Sequence, residues 1–444
     1  MKKLQFIGIG GVGISALAKM LLNKGYQISG INDSESKKTL QELRDKGVQI
    51  ELGTDPKLLD ESADMYIYSV AWLERAPELM KKALDSKKAK NYFEALGDFA
   101  KDMKVLAVSG THGKTTTTAM LHEILKAHDF THETIVGSIL ASEGSNYVPA
   151  DKNTDYLLVE ACEYKRHFLN FYPELLVITN IEAEHLDYYK DLEDVQSAFL
   201  EVAQQTKGKK IVANLKDENS AQIFNKFKAH ERQDFEMVDY SAFVHGLPEL
   251  SVPGEHNKMN AAAALAAAAT LLKEKFNLDL AKSALKNFKG TWRRFQYLSD
   301  TQNGAKIYSD YAHHPTEIKA TIQAAREKAE SGRVIVVFEP HTYSRLKALM
   351  DDFAGALSLA DEILLVPVYA AREKEIEGIN SKVLSDKINT FTKEDKAKFF
   401  DDYKIAFENT MQDSRNGDMI LAMGAGDIHE SLTKYLYAKN TKKN

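Results

Sequence analysis

The chain has 444 residues, enough for two to four domains, and its hydrophobic fraction of 44% with a charged fraction of 27% is typical of a globular protein. The net charge of −6 argues against general nucleic-acid binding. A single cysteine, Cys162, excludes an internal disulfide framework and favours the reducing cytoplasm. No apolar run approaches about 18 residues, so we expect no membrane span.

Strand-like apolar runs alternate with helical stretches, and this alternation predicts an α/β fold of parallel sheets covered by helices. The predicted strands are Leu4–Ile9, Gln27–Ile31, Met65–Tyr68, Val105–Val108, Leu157–Glu160, Leu175–Thr179, Lys210–Asn214, Ile307–Ser309, Val334–Phe338, Glu362–Val366 and Met419–Met423. Their grouping predicts three domains, residues 1–100, 101–293 and 294–444. The alanine-rich run Asn260–Leu272 is expected to be a buried helix of the second domain.

The first domain opens with a glycine loop directly after its first strand. Gly8, Gly10 and Gly13 carry the G-x-G-x-x-G spacing, and Gly11 adds a fourth glycine. Such a turn lets a diphosphate approach a helix N-terminus, and Asp33, which follows the second strand, is placed to bind a ribose. A tight strand-to-helix turn that holds no ligand is the alternative.

A second phosphate loop follows the strand Val105–Val108. Its backbone N–H groups can surround phosphate oxygens, Lys114 can reach the β- and γ-phosphates of ATP, and the Thr115 hydroxyl can hold Mg²⁺. Val108 stands where the usual G-x-x-x-x-G-K-[ST] pattern has its first glycine, and a threonine-rich helix cap is the alternative. The predicted ATP-binding residues of this loop are Gly110, Thr111, His112, Gly113, Lys114, Thr115 and Thr116.

Polar side chains follow two other strands of the second domain. Glu160 ends the strand Leu157–Glu160, and His185 comes shortly after Leu175–Thr179. Because ligands bind at the carboxyl ends of parallel strands, Glu160, His185 and Thr115 are predicted to bind Mg²⁺. Mg²⁺ prefers oxygen donors, so the alternatives are an ordinary ion pair for Glu160 and a hydrogen-bonded loop histidine for His185.

Further candidates lie near the second boundary and in the third domain. Asn257 could cap the alanine-rich helix or bind a base edge. Arg293 and Arg294 could clamp phosphate, with a structural ion pair as the alternative. Two strand ends of the third domain carry polar loops, which we interpret as a binding rim with solvated loops as the alternative. These loops contain Asp310, His313 and His314, and His341 and Arg345.

Five segments, in this order, resemble the Mur ligase family of cell-wall synthesis, along essentially the whole chain. They are Gly-Thr-His-Gly-Lys-Thr-Thr at 110–116, Glu-Ala-Cys-Glu-Tyr-Lys-Arg-His-Phe at 160–168, Glu-His-Leu-Asp-Tyr-Tyr at 184–189, Asp-Tyr-Ala-His-His-Pro-Thr-Glu at 310–317 and Met-Gly-Ala-Gly-Asp at 423–427. The resemblance implies a Rossmann-like UDP-binding domain, a central P-loop ATPase-like domain, and a C-terminal Rossmann-like domain that closes over the nucleotide.

The resemblance also implies a reaction. ATP would activate the lactyl carboxylate of UDP-N-acetylmuramate as an acyl phosphate, and L-alanine would displace the phosphate, in a monomer or weak homodimer. The implied catalytic residues are Lys114, Glu160, His185, His313 and Arg345. ATP binding would also use Asn257, Arg293, Arg294 and Asp310. The first glycine loop, Asp33 and Ser69 would bind the UDP-sugar, and His341 would lie near the amino acid.

The chain departs from the family pattern at several positions. Ser69-Val70-Ala71 replaces a usual Ser-Ser-Ala run, Ala76 replaces an asparagine, and Thr342 stands where many members have arginine. Several relatives carry a carbamylated lysine on the helix after the metal histidine. Residues 192–205 contain no lysine, so no such site is expected.

Three other functions stay open at this stage. One is the recycling ligase of the same fold, which attaches a whole tripeptide to the same sugar nucleotide. The others are an NAD-dependent oxidoreductase, suggested by the first glycine loop, and a non-enzymatic nucleotide switch. The oxidoreductase leaves the second phosphate loop and Glu160 unexplained.

Overall fold

The computed structural model describes residues 2–35, 38–186, 188–229, 234–329, 331–371 and 373–441. They form two units, one of Met1–Leu250 with Met259–Lys289 and one of Ser251–Lys258 with Gly290–Asn444. The first unit carries two sheets and the second carries one. Within the described residues, no helix is long and apolar enough to cross a membrane.

The first sheet has the strand order β3-β2-β1-β4-β5, and its strands are all parallel. Because the order reverses between β1 and β4, the loops after these two strands open onto the crevice where such folds bind ligands. Its elements are β1 (Lys3–Ile7), α1 (Val12–Asn23), β2 (Gln27–Asn32), α2 (Lys38–Asp45), β3 (Gln49–Leu52), β4 (Met65–Tyr68), α3 (Trp72–Arg75), α4 (Pro77–Asp85), β5 (Ala89–Asn91) and α5 (Tyr92–Ala100).

The second sheet has the order β12-β11-β10-β6-β9-β7-β8, with β7 antiparallel to β8 and the other pairs parallel. The buried strand β6 lies between β9 and β10, so three strand ends meet at one edge of the sheet. The elements are β6 (Lys104–Ser109), α6 (Lys114–Ala127), β7 (Glu133–Leu140), β8 (Ser145–Val148), β9 (Tyr156–Glu160), β10 (Leu175–Ile178), α7 (Leu192–Gln204), β11 (Lys210–Ala213), α8 (Glu218–Ala229), β12 (Glu236–Asp239), α9 (Glu255–Leu272) and α10 (Leu278–Lys286).

The third sheet has the order β13-β14-β18-β15-β16-β17, with β13 antiparallel to β14 and the other pairs parallel. Its central strands β18 and β15 are fully buried. The elements are β13 (Gln296–Asp300), β14 (Lys306–Asp310), α11 (Pro315–Ala329), β15 (Val334–Phe338), α12 (Tyr343–Ala348), α13 (Met350–Leu357), β16 (Glu362–Leu365), α14 (Ser381–Thr392), β17 (Ala397–Phe399), α15 (Tyr403–Asp413), β18 (Met419–Met423) and α16 (Ile428–Thr441).

The predicted α/β fold with parallel sheets is confirmed, and every strand predicted from the sequence is present. The strands that the sequence analysis missed are mostly at sheet edges. The strands β3, β12, β13 and β17 carry few buried residues, so they lack the apolar run that reveals a central strand. The alanine-rich helix begins at Glu255, five residues before the predicted start at Asn260.

Candidate functional site

The loop between β6 and α6 is shaped by a glycine and held by side chains that follow β10. Gly113 has a φ of 83°, and a Cβ there would lie 2.1 Å from Asn260 Oδ1, so the turn requires glycine. The Thr179 hydroxyl donates to the His112 carbonyl at 2.6 Å, and Asn180 Oδ1 accepts from the His112 N–H at 2.9 Å. The N-terminus of α6 therefore follows a firmly held loop, as in phosphate-binding sites.

The other predicted loop residues lie in the same turn. Gly110 packs against Thr179, which leaves no room for a side chain. The Thr111 N–H donates to the Asn180 carbonyl at 3.0 Å. Thr115 and Thr116 are buried in the first turn of α6. The structure thus brings the predicted ATP-binding residues of this segment into one loop and helix start.

The ammonium group of Lys114 lies inside this loop among three acceptors. Its Nζ donates to the carbonyls of Gly110 at 2.6 Å and Thr111 at 2.8 Å, and it lies 2.9 Å from Glu163 Oε2. Burial alone would lower the pKa of Lys114, but the Glu163 carboxylate raises it above its ordinary value. Burial likewise opposes ionisation of Glu163, yet Lys114 and His185 hold the pKa of this carboxyl below its ordinary value. Both groups are therefore charged at neutral pH.

Glu160 lies at the end of β9, directly beside the start of α6. The Thr115 hydroxyl donates to its carboxylate, with both oxygens at 3.0 Å, and the Gly137 N–H donates to Oε2 at 2.8 Å. A Cβ at position 137 would lie 2.6 Å from Oε2, so only glycine leaves the carboxylate in this place. The predicted pair of Glu160 and Thr115 is brought together, and Gly137 is a supporting residue that sequence reasoning missed.

His185 pairs with a different carboxylate from the one expected. Its Nε2 lies 3.4 Å from Glu163 Oε1, and its backbone has a φ of 58°. Ligand atoms of Glu163, Glu184 and His185 all lie within 4.8 Å of one another. Asp187, part of the same family-like segment, lies outside the described residues. Glu163, which contacts both Lys114 and His185, is a residue that the sequence analysis did not single out.

The first glycine loop lies between β1 and α1 and is closed by two side chains. Gly8 has a φ of 76°, and a Cβ there would lie 2.3 Å from Trp72 Nε1. The Gly10 N–H donates to Asn32 Oδ1 at 3.2 Å. Gly11 is the N-cap of α1, and glycine has no side chain that could cap the helix. The first backbone N–H groups of α1 can therefore bind a ligand.

The other predicted residues of this first site have distinct surroundings. The Asp33 carboxylate forms an ion pair with Arg75. Ser69 comes directly after β4, and its N–H donates to the Ile7 carbonyl at 2.9 Å. Both residues therefore follow the carboxyl ends of strands in the first sheet, where ligands of such sheets bind.

Tyr92, at the start of α5, packs against the first glycine loop. A Cβ at Gly13 would lie 3.1 Å from the Tyr92 hydroxyl oxygen. Burial raises the pKa of Tyr92, and the negative charge of Glu160 raises it further. The next residue, Phe93, stacks on His167 at 3.6 Å between ring centroids. Tyr92 therefore packs against the first glycine loop and lies within the electrostatic influence of Glu160, and the sequence analysis did not single it out.

In the second unit, several predicted ATP-binding residues are engaged in local structure. Arg293 is 6% exposed and donates to the carbonyls of Gly424 at 2.5 Å and Gly426 at 3.1 Å. Asp310 accepts from the N–H groups of Phe295 at 2.6 Å and Ala312 at 2.7 Å. Burial raises the pKa of the Asp310 carboxyl. These hydrogen bonds hold the backbone of the neighbouring loops in place. Arg293 and Asp310 therefore have a structural role in addition to the predicted role in ATP binding.

The remaining predicted residues of this unit lie on neighbouring loops. Asn257 lies in the first turn of α9 and donates to the Pro253 carbonyl at 2.6 Å, and Arg294 Nη1 lies 3.7 Å from Glu317 Oε1. The Arg345 N–H donates to Thr342 Oγ1, the N-cap of α12.

Two histidine rings of the second unit form a small cluster. The ring of His313 lies 5.6 Å from that of His341, which stacks on Tyr369. Burial, and then the neighbouring positive groups, lower the pKa of His341 to about 3. Among the described residues, His341 Nδ1 has no hydrogen-bond partner. This neutral imidazole is therefore open to a polar ligand group.

Two glycine loops at helix starts, one of them followed by a buried lysine, on largely parallel sheets are an arrangement typical of nucleotide-dependent enzymes of the α/β class. Three family descriptions match the chain in succession: the Mur ligase family catalytic domain at residues 3–104, the Mur ligase middle domain at 108–268, and the Mur ligase glutamate ligase domain at 293–426. The chain belongs to the Mur ligase family.

Individual relatives span nearly the whole chain. The UDP-N-acetylmuramate–L-alanine ligase of Clostridium acetobutylicum is 37% identical over 96% of both chains, and that of Agathobacter rectalis is 38% identical over 96% of both. The crystal structure of UDP-N-acetylmuramate–alanine ligase from Thermotoga maritima matches with a TM-score of 0.80 at 27% identity, covering all of both chains. A murein peptide ligase from Psychrobacter arcticus shares the fold, with a TM-score of 0.71 at 21% identity over 99% and 98% of the chains.

Proposed function

We propose that the chain joins L-alanine to the lactyl carboxylate of UDP-N-acetylmuramate at the expense of ATP, in the synthesis of peptidoglycan precursors. The observation that carries this function is that one unit holds two glycine loops at helix starts, one before α1 and one before α6, where Lys114 follows Gly113. A ligase that activates the carboxylate of a nucleotide sugar needs both loops, whereas an NAD-dependent oxidoreductase or a simple nucleotide switch needs one. The full-length similarity to ligases of this activity supports the same conclusion.

The reaction has two balanced steps. In the first, a lactyl carboxylate oxygen attacks the γ-phosphorus of ATP, the bond to the bridging oxygen breaks, and ADP leaves from an acyl phosphate. In the second, the amine of L-alanine attacks the acyl carbon, the tetrahedral intermediate expels phosphate, and the amine loses a proton. Since anions approach one another in the first step, catalysis depends on neutralising charge.

Lys114 is the residue that we propose for this neutralisation. Its ammonium donates to two carbonyls of its own loop and pairs with Glu163. To reach phosphate oxygens it must exchange some of these acceptors, and Glu163 keeps it charged and close to the loop throughout. Glu163 is therefore proposed as a positioning residue that also orients His185.

We propose that Thr115 and the Glu160 carboxylate hold Mg²⁺. His185 lies next to a second carboxylate, that of Glu163. The hydroxyl and carboxylate oxygens at 3.0 Å from each other are the hard donors that Mg²⁺ prefers. Bound there, Mg²⁺ would supply positive charge to the phosphate oxygens of ATP. Gly137 supports this site by leaving room for the Glu160 carboxylate.

The remaining assignments rest on the family pattern. We propose that His313, His341 and Arg345 serve the amino acid, and that Asn257, Arg293, Arg294 and Asp310 serve ATP. The three-domain division at residues 100 and 293, a cytoplasmic location and a monomeric or weakly dimeric state are proposed on the same basis.

Isotope transfer tests the proposed route directly. UDP-N-acetylmuramate labelled with heavy oxygen in its lactyl carboxylate should pass one labelled oxygen to the phosphate released with L-alanine. Unlabelled phosphate in the presence of product would exclude an acyl phosphate. Product formed with the tripeptide but not with L-alanine would instead identify the recycling ligase.

A further inference from the structure

A side-chain cluster that the proposed reaction does not use lies in the second half of α6 and in the β7–β8 turn. His122, Glu123 and Glu143 each offer one ligand atom, and these atoms lie within 4.8 Å of one another. We refer to these three residues as the α6 cluster. His122 follows Lys114 by eight residues, which is about 12 Å along a helix, so the cluster is separate from the ATP loop.

The buried member of the cluster has one ring nitrogen without a partner. His122 is 2% exposed, and among the described residues its Nε2 makes no hydrogen bond. Glu143 Oε1 lies 3.7 Å from this nitrogen, beyond hydrogen-bond length. Buried polar atoms nearly always have a partner, so an imidazole nitrogen that faces a carboxylate oxygen at 3.7 Å is a candidate ligand for a cation.

The other ring nitrogen of His122, Nδ1, already has hydrogen-bond partners. Its Nδ1 lies 2.9 Å from Thr134 Oγ1 and 3.1 Å from His132 Nε2. His132 Nδ1 lies 2.6 Å from the Phe130 carbonyl, which can only accept, so His132 carries a proton on Nδ1 and offers Nε2 as an acceptor. His122 can then donate from Nδ1 and present the lone pair of Nε2. Metal-binding histidines are typically fixed through their second nitrogen in this way.

Each of the two carboxylates has one further contact, with an exposed side chain. The Ser142 hydroxyl donates to Glu123. Lys126 Nζ lies 2.5 Å from Glu143 Oε1, on a side chain that is 57% exposed. This lysine compensates the charge of Glu143, while Nε2 of His122 makes no hydrogen bond to any described residue. Because the lysine side chain is long and exposed, it can leave Glu143 when a stronger cation arrives.

We propose that the α6 cluster binds a divalent first-row transition-metal ion, represented by Zn²⁺, through His122 Nε2 and carboxylate oxygens of Glu123 and Glu143. An imidazole ligand favours Zn²⁺, Co²⁺ or Ni²⁺ over Mg²⁺. Donors at about 2.1 Å from a tetrahedral ion lie about 3.4 Å apart, so the observed separations need only small side-chain rotations. Three protein ligands leave the fourth position to water.

Calorimetric titration with Zn²⁺, in excess Mg²⁺, tests the proposal. Glu143→Gln and Glu123→Gln should each weaken one binding event at least tenfold, whereas Lys126→Met should strengthen it by removing a competing cation. His245→Gln, which removes an exposed histidine elsewhere on the same unit, is the matched control and should bind like the unaltered chain. The same event should raise the melting temperature of the unaltered chain and of the control.

Several results would overturn the site. One is a Zn²⁺ isotherm of Glu143→Gln and of Glu123→Gln that matches that of the unaltered chain. Another is a loss of Zn²⁺ affinity in His245→Gln as large as the loss in these two variants. His122→Gln should abolish the event and the visible absorption of bound Co²⁺ with it. Because His122 is buried, the surface variants decide the question if this variant does not fold.

Discussion

Gly137→Ala should impair Mg²⁺-dependent turnover although residue 137 is neither a ligand nor part of a motif. A Cβ at this position would lie 2.6 Å from Glu160 Oε2, whereas ordinary contact begins at 3.4 Å. The carboxylate must therefore move by about 0.8 Å, several times the tolerance of about 0.2 Å for a metal ligand. We expect the Mg²⁺ concentration for half-maximal rate to rise about tenfold or more, because misplacement by about 1 Å can cost about 100-fold.

The fold should tolerate this change. Gly137 is exposed, and its φ lies outside the left-handed range, so alanine fits the backbone of β7. Its free energy of unfolding should change by less than about 1 kcal/mol. The matched control is Gly355→Ala in α13, where a Cβ meets no atom within 4 Å, and its Mg²⁺ dependence should be that of the unaltered chain.

The assay is ADP release at saturating substrates while Mg²⁺ is varied, with a thermal melt of each variant. Glu160→Asp in the Gly137→Ala background withdraws the carboxylate from the added methyl group, so the double variant should lose less than the two single effects combined. An unaltered Mg²⁺ dependence in Gly137→Ala would refute the role of Glu160. A loss of activity that matched a loss of thermal stability would refute the claim that Gly137→Ala acts by displacing the Glu160 carboxylate.

Lys114→Ala should lower kcat about 100-fold or more in the ADP-release assay, and an effect below about tenfold would remove Lys114 from charge neutralisation. Glu163→Gln should lower kcat/KM about tenfold or more, since one charge-assisted hydrogen bond to a buried lysine is lost; an unchanged value would show that Lys114 and His185 are positioned without it. Burial lowers the pKa of His132 and His429 to about 4, below the value of about 6.5 in an unfolded chain. The folded state therefore resists protonation, and stability present above about pH 6.5 should be lost as the pH falls toward 4, which melting curves across this range can confirm or contradict.

The sequence predicted the parts of the site that depend on local order along the chain. The loop at Lys114 has a motif, and Glu160 ends an apolar strand, so topology alone brought Glu160 to Thr115. Glu163 could not be found in this way. It begins a segment in which Lys165 and Arg166 both have positive φ values, of 51° and 57°, a conformation that residue propensities do not predict.

Long-range contacts explain the other omissions. Gly137 belongs to β7, which the sequence analysis missed, and its contact with Glu160 is made across the sheet. Tyr92 lies at the start of a helix of the first domain, yet the charge of Glu160, a residue of the second domain, raises its pKa. Neither relation has a spacing pattern, because both arise from packing between separate elements. The same limit applies to Arg293 and Asp310, whose local hydrogen bonds no motif reveals.

The central claim is that ATP hydrolysis is coupled to the formation of one amide bond. The most direct measurement is ADP release from Mg-ATP and UDP-N-acetylmuramate, with and without L-alanine, together with the mass of the sugar nucleotide. The account predicts release that requires both substrates and a product heavier by one alanyl unit. ADP release that ignores L-alanine, or a sugar nucleotide of unchanged mass, would contradict it.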